Sequence, residues 1–242
     1  MCPVANIKNS GIGALAASVD HLVIAAASLE EGVQWCEATL GVTPGPGGEH
    51  PLMGTHNRLL RIATADFPGA YLEIIAINPG AKSASTERAR RWFDLDNSDL
   101  QKRLSESGPR LVHFVAATGD ASEGAAAFRR LGLESGDMLQ LSRATPQGLL
   151  TWKITVRPDG QRLFNGALPT LIEWEGVHPS GSMPDSGITL QSLHLCHPRG
   201  EELRIACAAI GLADISIAIG APNIIATLQT PKGEVRLASC GL

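Results

Sequence analysis

The feature that most constrains this chain is an internal repeat. The segments DHLVIAAASLEEGVQWCEATLGV, LVHFVAATGDASEGAAAFRRLGL and LHLCHPRGEELRIACAAIGL share one pattern. Each has an apolar run carrying a histidine, a polar break, a helical stretch and then Leu/Ile-Gly. His21, His113 and His194 precede Gly41, Gly132 and Gly211 by 20, 19 and 17 residues. A motif used three times asks for a fold assembled from one supersecondary unit. The 242 residues suffice for one large domain or two small ones.

The local chemistry of each copy agrees. The apolar runs are short, rich in β-branched residues and bounded by turn formers, so they predict strands. Ser28 and Glu31 form a capping box for a first helix, in which Leu29, Val33, Cys36 and Leu40 share a face. Asp120 and Glu123 offer the same start to a second helix, and Leu203, Cys207 and Ile210 repeat helical spacing in a third. The three glycines fit the left-handed position that ends a helix at little cost. Strands follow each helix: HNRLLRIA and AYLEIIAI, then LLTWKITV and LPTLIEWE, then DISIAIG, NIIATLQT and EVRLAS. The unit is β-α-β-β-β. It divides the chain into a tail (1–19), a first module (20–79), a polar, partly helical linker (80–109), a second module (110–176) and a shortened third (188–240). The Pro/Gly/Ser-rich stretch 176–189 joins the last two. The expected class is α+β: curled mixed sheets around a cleft, helices outside.

Composition narrows the function. A net charge of −4 with no basic block argues against nucleic acid. No apolar run approaches the roughly 18 residues that cross a bilayer, and the first 20 residues do not read as a signal peptide. Five scattered cysteines without CxxC favour a reducing cytoplasm.

Strand periodicity selects the chemistry-bearing residues. His21 and His113 lie mid-strand at the start of their modules, and Glu73 and Glu173 lie mid-strand at the end. A buried carboxylate needs a partner. Two His and two Glu converging on one point suit Zn, Ni, Co, Mn or Fe. The ordinary alternative is that each is a satisfied core or edge residue. The loop GGEHPLMGTHNR (47–58) can turn sharply on its glycines and offers His50, Thr55, His56 and Asn57 as substrate contacts, or else it is a plain connection. It lacks GK[ST] and a following helix, so it is no P-loop. Trp152 and Trp174 could line an apolar pocket, although core packing is the commoner role. Arg88, Arg90 and Arg91 read as a solvated patch, and Cys36, Cys196 and Cys207 as small buried hydrophobes.

Paired β-α-β-β-β units with His or Glu on their first and last strands resemble the vicinal oxygen chelate superfamily. GPGGEHPLMGTHNRLLRI, YLEIIAI, TLIEW and ATLQTPKGEVRL resemble its glyoxalase-like domain family, over about 20–240. The resemblance implies a divalent metal held by His21, Glu73, His113 and Glu173, with Glu73 or Glu173 leaving the metal to act as general base. It implies a lyase or isomerase acting next to a carbonyl, with Trp174 and the 47–58 loop near substrate. The third module departs from the pattern: its last strand has Val235, Arg236 and Leu237 where the others have a Glu, so His194 is expected to be structural. Three alternatives stay open: a metal-free protein that sequesters a hydrophobic small molecule, a domain whose site has decayed and whose role is structural or oligomeric, and a non-haem Fe(II) dioxygenase. The expected partners are a small-molecule substrate, no nucleic acid and no membrane, with a homodimer as an open alternative.

Overall fold

The computed structural model describes residues 15–81, 90–145 and 148–241. Most of the tail and Arg88 lie outside these residues. The first strand, β1 (Ser18–Ala25), leads into α1 (Leu29–Leu40), then β2 (Glu49–His50), β3 (Thr55–Arg61) and β4 (Tyr71–Ile77). A linker helix α2 (Ser98–Ser107) precedes the second unit: β5 (Arg110–Ala117), α3 (Ala121–Arg130), β6 (Asp137–Thr145), β7 (Gly148–Val156) and β8 (Thr170–Glu175). A third follows: β9 (Thr189–His197), α4 (Gly200–Ala209), β10 (Ser216–Ile219), β11 (Asn223–Thr230) and β12 (Gly233–Ala238).

The caps explain the helix boundaries. Ser28 Oγ accepts from Glu31 N and Asp120 Oδ1 from Glu123 N, satisfying donors that the first turn leaves open. Gly41 ends α1 at φ 81°, a backbone conformation that a Cβ disfavours.

The first two units form one eight-stranded curled sheet, ordered β2-β3-β4-β1-β5-β8-β7-β6. Within each, the first strand runs parallel to the last, β1 beside β4 and β5 beside β8. The two halves join through antiparallel β1 and β5. The third unit has the same element order but other partners. Its first strand, β9, runs parallel to β10 and antiparallel to β11. It forms a separate four-stranded sheet.

The second sheet and helices α1, α3 and α4 cover the outer face of the large one, while Leu100 and Leu104 of α2 join the inner-face cluster. Leu22, Ile24, Leu72, Ile74, Phe114 and Phe128 share one buried cluster with Leu190, Leu193, Leu195, Ile224 and Leu228. Ala17 N donates to Ile210 O and Leu190 N to Ile62 O across this seam. His194 pairs with Ser216 Oγ and takes no part in the large sheet's inner face. The inner face carries a second apolar cluster that includes Val23, Ile75, Trp92, Phe93, Val115, Trp152 and Ile172. Among the described residues no helix is long and apolar enough to cross a membrane.

Candidate active site

The concave face of the large sheet holds a small cavity of about 40 Å³, walled by His21, His50, Asn57, Tyr71 and Glu73, by Trp92 and Phe93, and by Trp152 and Trp174. By register His21 sits beside Tyr71 and Val23 beside Glu73. The rings of His21 and Tyr71 stack at 4.6 Å. His21 Nε2 faces Glu73 Oε2 at 3.6 Å, and Asn57 Nδ2 donates to Glu73 Oε1 at 2.6 Å. Asn57 is itself held by the 47–58 loop, since Gly48 N donates to its Oδ1. A Cβ at Gly47 would collide with the Asn57 carbonyl oxygen, so this close approach requires glycine.

Asp20 anchors the other side of His21. It is fully buried. Its carboxylate accepts from His21 Nδ1 at 2.6 Å, from Trp174 Nε1 at 2.8 Å and from His178 Nε2 at 2.8 Å. Ser180 N donates to His178 Nδ1, which leaves the Nε2 proton for Asp20. Strict alternation would put Asp20 and His21 on opposite faces. The β1–β5 register shifts between Val19 and His21, and this bulge lets both reach one site. Burial works to raise the Asp20 pKa. The hydrogen bonds from His178 and His21, with the charge of both rings, outweigh burial and hold the carboxyl well below the usual range. Burial, reinforced by Asp20 and Glu73, raises the Tyr71 hydroxyl well above its ordinary pKa.

The four expected metal ligands do not converge. Among the described residues no three His, Cys, Asp or Glu side chains are grouped to hold an ion. Glu173 is out of phase with Glu73. In β8, Leu171 joins the outer core while Ile172 and Trp174 line the cavity, so Glu173 faces outward. There it pairs with Lys153 Nζ at 2.7 Å and accepts from Ala121 N at the start of α3. His113 lies at a second register shift of β1 and β5. Its Nδ1 pairs with the Gly166 carbonyl and its Nε2 with Thr170, so both nitrogens are engaged. It lines a different cavity, which shares only Trp92 and Phe93 with the first. Burial, with the Arg162 charge, lowers its pKa to about 3 despite the Gly166 bond. Superfamily members commonly bind a divalent metal; of the four residues expected to hold one, the structure brings His21 and Glu73 together and leaves His113 and Glu173 apart.

The loop residues divide by strand phase. Asn57 and His50 line the cavity. Thr55 lies behind, bonded to His50 Nδ1 at 3.0 Å. His56, expected as a contact, falls between Thr55 and Asn57 in β3 and is not among the cavity's walls. Burial lowers the His50 pKa to about 4, with the Arg143 charge adding and Glu73 opposing. Trp152 and Trp174, more readily read as core, pair across β7 and β8 and line the cavity.

Sequence reasoning missed Asp20, His178, Trp92 and Phe93. The last two enter from the segment read as a linker, where Phe93 and Asp94 hold positive φ of 59° and 58°. The available signal was a Trp-Phe pair in a chain with only 4% aromatic residues.

The glyoxalase-like domain family matches residues 19–211. No curated protein sequence matches the chain. A hypothetical protein from Staphylococcus aureus is similar in structure, with a TM-score of 0.56 and 14% identity over 92% of this chain and 85% of its own. A methylmalonyl-CoA epimerase variant from Streptomyces coelicolor, in complex with 2-nitronate-propionyl-CoA, has a TM-score of 0.41 and 20% identity over 68% of this chain and 99% of its own. The methylmalonyl-CoA epimerase from Mycobacterium tuberculosis has a TM-score of 0.39 and 15% identity over 71% and 95%. With a curled sheet of two β-α-β-β-β units around the site and the family match spanning most of its length, the chain belongs to the glyoxalase-like domain family of the vicinal oxygen chelate superfamily.

Proposed function

We propose that the protein is an isomerase- or lyase-type enzyme acting on a carbon next to a carbonyl, with Glu73 as the general base. One observation carries the reading: a carboxyl group fixed on one oxygen by Asn57 and facing His21 with the other, in a cavity walled by aromatic rings. Asn57 orients Glu73 and Asp20 orients His21, so neither must reorganise when a substrate arrives. The C–H proton passes to Glu73 Oε2, and the electron pair moves onto the carbonyl oxygen as an enolate. Return of the proton to carbon, or loss of a neighbouring leaving group, completes an isomerisation or an elimination. His21 Nε2 is placed to exchange that proton with Glu73. The buried indole N–H of Trp92 has no acceptor among the described residues and would suit a ligand oxygen. The expected metal has no part in this step, because His113 and Glu173 are committed elsewhere and only two of the four donors meet.

The test is solvent deuterium uptake next to the carbonyl in a panel of ketones, 2-oxo acids and thioesters. The wild-type protein is expected to label at least one of them. Glu73→Gln, which keeps the Asn57 hydrogen bond, should lower the rate 10²- to 10⁴-fold, the usual contribution of a general base. A Glu73→Gln protein that labels at the wild-type rate would refute the assignment. The sequestration alternative predicts binding with no uptake in either protein.

A further inference from the structure

The reactive cavity is too small for a whole substrate. Its 40 Å³ has room for about three water molecules. It adjoins an outer trough of about 760 Å³. Four residues wall both: Leu59, Arg143, Leu150 and Pro179. A ligand whose reacting end reaches Glu73 must therefore lay its body in the trough, past Arg143. The trough is apolar in part, and Leu149 and Val177, 72% and 77% exposed, stand on its rim.

Arg143 has an unusual setting. It belongs to β6, and its side chain lies against Gly48, just before β2. Strands β2 and β6 are opposite edges of the large sheet, so this arginine bridges the mouth of the curl. A Cβ at residue 48 would collide with the guanidinium. Its charge reaches His50 and Tyr71 inside the cavity. It forms no ion pair among the described residues, and Arg61, the trough's other arginine, does not reach the cavity wall. The trough's own acids are not its partners: Glu175 accepts from Gln140, and Asp185 accepts from Gly187 N.

We infer that the site takes an organic anion, a single carboxylate on an apolar body, and that Arg143 binds the carboxylate where cavity and trough meet. This deepens the acid–base reading and rests on it for which end of the ligand reacts. A guanidinium matches a carboxylate in a bidentate fork. Arg61 also lines the trough but not the cavity, so a single guanidinium stands where the two meet, which suits a monoanion better than a phosphate dianion.

Calorimetric titration with octanoate, octanamide and octyl phosphate tests it. Wild type is expected to bind octanoate more tightly than both others. Arg143→Gln should weaken octanoate roughly 10- to 100-fold, the worth of a charge-assisted hydrogen bond, and leave octanamide unchanged. Gly48→Ala, which displaces the guanidinium without removing it, should weaken octanoate too, and both variants should melt as wild type does. Glu73→Gln should keep octanoate affinity while losing deuterium uptake, so the two assignments fail separately. Equal octanoate affinity in wild type and Arg143→Gln would overturn the inference. So would octanoate binding no better than octanamide, tighter binding of octyl phosphate, or no binding of octanoate.

Discussion

Asp20 draws three donors onto one buried carboxylate. Its place beside His21 was not legible in the sequence, because the alternation rule sends neighbours to opposite faces and only a bulge breaks it. Asp20→Asn keeps the shape but can accept from fewer donors and introduces an amide of its own. The stranded buried polar groups should cost about 1–3 kcal/mol, read as a lower denaturant midpoint with an unchanged slope. His50 and His113 define a pH dependence. Their folded pKa values, lowered to about 4 and about 3, lie below the ordinary histidine value near 6.5. Between those limits the unfolded chain binds protons that the folded chain refuses, so stability falls as pH falls. Each histidine contributes a slope of up to about 1.4 kcal/mol per pH unit, and Asp20 adds a further loss below the ordinary carboxylate range. Urea titrations from pH 7 to pH 4.5 should show a steady loss that is reduced in His113→Gln. A flat profile would contradict the buried neutral histidines.

At the scale of elements, the sequence showed much of the order and little of the pairing. Ser28, Asp120 and the three glycines announce helix ends through chemistry local to a few residues, and those caps form. The phase of Glu173 was open to reading: the adjacent Trp174 competes for the same inner face, and an aromatic ring fills a cavity wall better than an outward position. The partners of β9 were not readable, since an identical element order accommodates either arrangement. The 47–58 loop lines the cavity with His50 and Asn57, and Asn57 is its direct contact with Glu73. Asn57→Ala should therefore lower deuterium uptake about tenfold by freeing Glu73, with octanoate affinity unchanged. An unchanged rate would reduce the loop to a connection.

For the whole molecule, the division of labour is between two faces of one sheet. The inner face carries the candidate site. The outer face is covered by helices and by the four-stranded sheet, whose leucines and isoleucines share a core with Leu22 and Phe114. Removing residues 187–242 would return that surface to water at about 25 cal/mol per Å², so the shortened chain should aggregate or melt far below the parent. A soluble, equally heat-stable fragment would contradict the shared core. The repeat made the two-faced architecture legible, because each unit presents one apolar face that it cannot bury alone. It suggested a symmetric four-ligand centre for the same reason, and there the symmetry fails: the second unit's His and Glu are consumed by Gly166, Thr170, Lys153 and the start of α3. In the proposed reaction the paired His21 and Glu73 supply the acid–base step without a metal. Deuterium uptake before and after exhaustive chelation tests this, with the metal content measured on the same samples. The same rate is expected in both, from a chelated protein free of Zn, Ni, Co, Mn and Fe. Uptake that disappears on chelation and returns with one equivalent of a divalent ion would contradict it.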